Sequence, residues 1–83
     1  MERIEASSLY DRPIVTDKGR RLGNVADFLF DERTGEVVHI ILKNPTENAV
    51  KLGLEKTKDG YLVPFSAIKA IGDFIVVSEE DLV

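Results

Sequence analysis

The stretch from Arg21 to Lys43 constrains the fold more than any other part of the sequence. It reads Arg-Leu-Gly-Asn-Val-Ala-Asp-Phe-Leu-Phe-Asp, then Glu-Arg-Thr-Gly, then Glu-Val-Val-His-Ile-Ile-Leu-Lys. Val37, Val38, Ile40 and Ile41 crowd β-branched side chains that lose χ1 freedom on a helix and pack well on a pleated surface. Two strands are therefore expected, Leu22 to Phe30 and Glu36 to Lys43, joined by a loop from Asp31 to Gly35. Gly35 supplies the left-handed position that returns the chain. Gly23, inside the first strand, predicts a bulge or a close backbone approach.

With that loop, Phe30 faces Glu36, Phe28 pairs with Val38 and Ala26 with Ile40. Together with Leu42 these residues form one continuous apolar face, assigned to the interior. The opposite face then carries Leu29 against Val37, Asp27 against His39, and Val25 near Ile41. A solvated sheet face normally alternates to polar residues, so this one is too apolar for open water. Two covers are conceivable. The chain's own residues 45–54, with Ala49, Val50, Leu52 and Leu54, can fold back over it, or a partner can bind there. The second reading makes Leu29, Val37, His39 and Ile41 the partner-binding residues and predicts a homodimer or a heterodimer with a paralogue. A one-residue slip of register would exchange the two faces.

The rest of the chain reads as short strands between turns. Ser7 and Ser8 precede Leu9 and Tyr10, as at the start of a single helical or 3₁₀ turn. Pro13 to Thr16 is a first strand, and Asp17-Lys18-Gly19 a turn. Asn44-Pro45-Thr46-Glu47 resembles a helix start, with Asn44 as cap and Pro45 in the first turn, giving a short helix over residues 45–52 that Gly53 ends. Lys58-Asp59-Gly60 is another turn, before a strand from Tyr61 to Val63 that Pro64 cuts short. Ala67 to Ile71 and Phe74 to Val77 flank a Gly72-Asp73 turn. About six short antiparallel strands with one short helical or 3₁₀ segment predict an all-β barrel or partly open sandwich, in a single domain over residues 1–83. The acidic end, residues 78–83, reads as a solvated tail.

Composition narrows the function classes. The chain has 83 residues, 43% hydrophobic and 31% charged, with no cysteine and a formal net charge of -4. Neither disulfides nor thiolate metal sites can supplement its small core, and a cytoplasmic setting is expected. The start lacks the apolar region of a signal peptide, and no apolar run approaches the ~20 residues of a bilayer span, so direct membrane insertion is not expected. The net charge disfavours nucleic acid, although Lys18, Arg20 and Arg21 lie together.

The pattern Asp17-Lys18-Gly19, Leu22-Gly23, Val25, Asp27, Phe30-Asp31, Thr34-Gly35 and an apolar strand resembles the PRC-barrel family. The later segments Val63-Pro64-Phe65-Ser66-Ala67-Ile68 and Ala70-Ile71-Gly72-Asp73-Phe74-Ile75-Val76-Val77 resemble its second half, while residues from Pro45 to Lys58 fall outside the pattern. The resemblance implies a small PRC-type β-barrel that binds proteins without being an enzyme. The family includes the cytoplasmic region of the photosynthetic reaction-centre H subunit, the C-terminal domain of a ribosome-maturation factor, and small stand-alone archaeal proteins. A short acidic chain is most similar to the last, some of which act in cell division through the membrane anchor of the FtsZ ring. That implies an adaptor or scaffold. The alternative is a ribosome-maturation or RNA-associated module that would use Lys18, Arg20, Arg21 and Arg33 and weaken steeply with salt.

No catalytic constellation stands out. His39 is the single histidine, and completing a metal site with Asp27 and Asp31 matches no zinc or EF-hand spacing, so it reads as a structural residue beside Asp27. Ser7, Ser8 and Ser66 lack a nucleophile-elbow context. Glu79, Glu80 and Asp81 lie where no surrounding structure is expected to tune them for acid-base work. No glycine-rich loop runs from a strand into a helix. No enzyme activity, cofactor or metal is expected.

Overall fold

The computed structural model describes residues 6–82. A 3₁₀ turn (Ala6–Leu9) leads into β1 (Pro13–Thr16), β2 (Arg21–Phe30) and β3 (Val37–Lys43). Helix α1 (Glu47–Lys51) follows, then β4 (Lys56–Thr57) and β5 (Gly60–Pro64). A second 3₁₀ turn (Phe65–Ala67) connects to β6 (Ile68–Ile71) and β7 (Ile75–Val77), before a third (Glu79–Asp81). The seven strands form one sheet in the order β4-β5-β3-β2-β1-β7-β6.

Chain connectivity forces this sheet to roll up. In a flat sheet β5 and β6 would stand five strand spacings apart, roughly 24 Å. Pro64 ends β5 and Ile68 begins β6, and the steps between them reach only about 14 Å. The sheet therefore curls around a single core whose largest fully buried residues are Ile14, Leu22, Val25, Ile40, Leu42, Val63, Ile75 and Val77. The all-β PRC-type barrel expected from the sequence is present. It has one more strand than expected, the two-residue β4, and it is not purely antiparallel, because β1 and β7 run parallel with Ile14 beside Ile75 and Thr16 beside Val77. The β6-β7 hairpin meets β1 through its second arm, which sets that direction.

Glycine fixes two close approaches. A Cβ on Gly23 would lie 2.6 Å from the Lys43 carbonyl oxygen, and one on Gly60 would lie 2.5 Å from that of Leu42. Gly23 also adjoins a bulge, since Ile14 pairs with Gly23 but Val15 with Arg21.

The hairpin register departs from the sequence reading. Phe28 pairs with Ile40 rather than Val38, Leu29 with His39 rather than Val37, Asp27 with Ile41 rather than His39, and Phe30 with Val37 rather than Glu36. Two register irregularities, between Val25 and Asp27 and between Leu29 and Phe30, leave Ala26 on β2 and Val38 on β3 as the extra residues. The loop also closes one residue later, with the Asp31 N–H donating to the Glu36 carbonyl at 2.8 Å. The irregularity at Ala26 turns Val25, expected outside, into the core opposite Leu42. Phe30 and Val38, expected inside, are exposed, while Val37 packs against the core.

Two local expectations also change. Asn44 does not cap the helix. It takes a left-handed φ of 52°, and Thr46 stands at the cap position. The Thr46 hydroxyl and the Asn48 amide both donate to the Arg21 carbonyl, and the Thr46 N–H donates to the Leu22 carbonyl. This ties α1 to the start of β2. Gly53 follows the helix with a φ of 73°, as the stop signal predicted.

The acidic end is no solvated tail over its described part. Ser78, Glu79 and Leu82 are buried, and Leu82 belongs to the core cluster. The Thr16 hydroxyl donates to the Glu79 carboxylate at 2.6 Å and accepts the backbone N–H groups of Lys18 and Arg20. The Arg20 guanidinium lies 3.5 Å from the same carboxylate oxygen. The Asp17 carboxylate accepts the Glu79 N–H, and Lys69 lies 3.6 Å away. The Glu79 backbone N–H, first among the causes, holds the Asp17 carboxyl below its ordinary value of 3.8, with Lys69 adding to the effect.

Candidate interaction surface

The register assigns the outer face of the hairpin. Leu29, His39 and Pro64 form one row across β2, β3 and β5, and Asp27, Ile41 and Leu62 form the next. Of the four residues read from the sequence as partner-binding, Leu29, His39 and Ile41 thus share a face. Val37 does not, because it pairs with Phe30 and packs on the core. Leu29 is 39% exposed and His39 half-buried, but Ile41 is only 7% exposed and stands opposite the buried Leu62. Asp27 and His39 sit diagonally, in different rows, and no ion pair joins them. The Asp27 carboxylate instead accepts the Phe28 N–H at 2.8 Å and lies 3.5 Å from the Tyr10 hydroxyl.

Residues 45–54 do not lie over this face. Ala49 and Leu54 enter the main core, and the Thr46 and Asn48 hydrogen bonds hold the segment at Arg21 and Leu22, at the other end of β2 from Leu29.

Phe30 and Val38 stand exposed where the sequence reading had placed core, with Tyr10 close to Phe28, while Val50 and Phe74 are exposed elsewhere. Phe30 is 52% exposed, Tyr10 44% and Val38 43%. The Tyr10 ring stands 5.6 Å from Phe28, and Phe28 stands 6.5 Å from Phe30, both tilted. An aromatic string thus runs from the buried Phe28 out to solvent, beside Leu29. No residue signals it beforehand, because neither extra residue, Ala26 nor Val38, is the glycine that commonly marks a bulge.

The four cations of the nucleic-acid alternative do not form one patch. Arg20 is engaged by Glu79, and Arg21 reaches the Asn24 side chain at 3.4 Å. Arg33 lies in the hairpin loop, beyond the opposite end of the ten-residue β2 from Arg21. Among the described residues, no group of three or more His, Cys, Asp or Glu side chains is placed to hold a metal ion, and no pocket is present. No helix among them is long and apolar enough to cross a membrane.

Residues 1–82 match the sequence model of the PRC-barrel domain. The chain is also similar to the uncharacterized protein MJ1118 of Methanocaldococcus jannaschii. The two are 33% identical over 82 residues, covering 99% of this chain and 89% of that relative.

Proposed function

The chain belongs to the PRC-barrel domain family, a family of small binding-type domains, and on that premise we propose that it is a non-catalytic protein-interaction module. The observation that carries the reading is the apolar group at the far end of the hairpin, where Leu29, Phe30, Val38 and Tyr10 stand exposed within a short distance along the chain fold. Large apolar side chains exposed at one end of a sheet favour association, here Leu29 on the outer face and Phe30 on the side of Phe28, and aromatic residues are enriched where partners bind. Among the described residues this sheet end offers no pocket, which suits a protein better than a small molecule enclosed in a cleft.

Within that role the family resemblance supports an adaptor in an archaeal cytoplasmic assembly, such as cell division through the FtsZ-ring membrane anchor. The RNA-associated reading has less support here, since Glu79 already neutralises Arg20 and Arg33 lies apart from Arg21.

The test is an affinity capture from native lysate with the native chain and with Leu29→Asp and Phe30→Asp. The expected result is a protein partner retained at raised salt by the native chain and lost by both variants. Recovery of ribosomal components alone, released by modest salt, overturns the reading in favour of the RNA alternative.

A further inference from the structure

We propose that the second half of β2 is a strand-addition site for an extended partner segment with a basic, an apolar and a basic residue at alternate positions. The inference rests on the interaction-module reading and names the partner's chemistry.

β2 outgrows its neighbour. β1 has four residues against ten in β2, and its pairing stops at Pro13 with Asn24. Val25 is still held, its N–H by the Arg12 carbonyl and its carbonyl by the Asp11 N–H. Among the described residues, β2 beyond Val25 pairs only with β3, and the Tyr10 ring stands against Phe28. The Asp31 N–H points across to Glu36, so by the alternation of a ladder the backbone groups of Phe30 point the other way. The Phe28 N–H also faces that side, where the Asp27 carboxylate takes it instead of a strand. Unpaired backbone groups on an extended segment are a template for another strand.

The other ends of the sheet offer less. β4 is two residues long, and β6 carries an irregularity at Lys69 with an exposed lysine, two devices that blunt an edge. The free stretch of β2 has no lysine or proline and is flanked by exposed Leu29, Phe30 and Tyr10.

Charge selects the occupant. Side chains alternate along a strand, so Asp27, Leu29 and Asp31, the last just past the end of β2, follow one another on one side as carboxylate, apolar, carboxylate. Asp31 Oδ1 already accepts the Arg33 and Thr34 N–H groups of the loop, which leaves Oδ2 for a cation. An antiparallel segment that uses both Phe28 and Phe30 sets three alternate residues against them. A second copy of β2 in that register places Asp27 opposite Asp31 twice, and like charges directly opposite are unfavourable. A segment with lysine or arginine at the outer positions and valine, isoleucine or leucine between them complements the row. Its carbonyl accepts the Phe28 N–H, and its cation receives the Asp27 carboxylate that leaves that N–H.

The experiment follows backbone amide shifts of the full chain while adding acetyl-Lys-Thr-Val-Thr-Lys-amide or, separately, acetyl-Glu-Thr-Val-Thr-Glu-amide. The basic peptide is expected to give saturable shifts at Phe28 and Phe30, and Asp27→Asn to weaken it about threefold, the scale of one exposed ion pair. The acidic peptide is expected to leave both amides in place at the same concentration. Equal responses to both peptides, or shifts confined to other strands, overturn the proposal. Changes at the same amides that depend on protein concentration without peptide assign the edge to a second copy and also overturn it. If Leu29 and Phe30 capture a partner from lysate but the basic peptide moves neither amide, strand addition fails while the interaction reading stands. If neither occurs, both fail.

Discussion

Thr16 shows how much one hydroxyl can organise. It is buried, donates to Glu79, and accepts two backbone N–H groups of the turn that follows β1. Thr16→Val keeps the shape and removes all three hydrogen bonds, leaving a carboxylate and two amides short of partners. Chemical denaturation is expected to show a loss of about 2–4 kcal/mol, with Thr16→Ser recovering most of it. Asp17, next in the chain, gives a pH signature. Its carboxyl is held below 3.8, so the unfolded chain binds its proton at higher pH than the folded one. The contribution is therefore full above that value and lost as pH falls through the lower folded value. Asp17→Asn is expected to flatten the acid side of a stability-against-pH curve below about pH 4 and to leave its shape near neutrality unchanged. At Gly60 the constraint is steric. Gly60→Ala meets the Leu42 carbonyl at 2.5 Å at a φ of 139° and is expected to cost about 2 kcal/mol or more.

The hairpin separates surface from core in a way that substitution can read. Ile41 is buried opposite Leu62, whereas Leu29, on the same face, is open. Ile41→Asp is expected to lower stability by about 3 kcal/mol or more through burial of an unpaired charge. Leu29→Asp is expected to stay within about 0.5 kcal/mol of the native chain. Thermal unfolding of the two variants side by side checks both. Much of this element was legible beforehand. The β-branched run from Val37 to Ile41 and the Thr34-Gly35 turn located both strands, and Gly23 announced its close approach. The pairing was not legible, because Ala26 and Val38 carry no mark of an extra residue and a strand's inward side depends on every residue counted before it. The same limit hid the aromatic string, since Phe30 shares the side of Phe28 and reads as core in the register that the loop length suggests. The burial of Glu79 was hidden for a different reason. A run of three acids looks solvated unless the distant Thr16 and Arg20 are known to stand beside it.

Across the whole molecule, stability depends on residues far apart in sequence. β7 lies along β1, and Leu82 fills part of the core that Leu9, Ile14 and Val77 also line. Ending the chain after Val77 removes the buried Leu82 and the partner of Thr16. The expected loss is about 3 kcal/mol or more, which lowers the melting temperature by roughly 12 °C or more in a domain of this size. Differential scanning calorimetry of the shortened chain tests this.

The parallel β1-β7 pairing also bears on when the fold can be reached. During synthesis β1 emerges early, and the antiparallel neighbour it needs on one side, β2, follows within a few residues. Its other neighbour arrives only after Val77 has left the ribosome, and the contact that secures that corner waits for Glu79 and Leu82. Until then the nascent chain has an open hairpin whose exposed aromatic end and unpaired strand edge are accessible to other chains. Completion of the barrel thus waits for residues 75–82, however early the hairpin has formed.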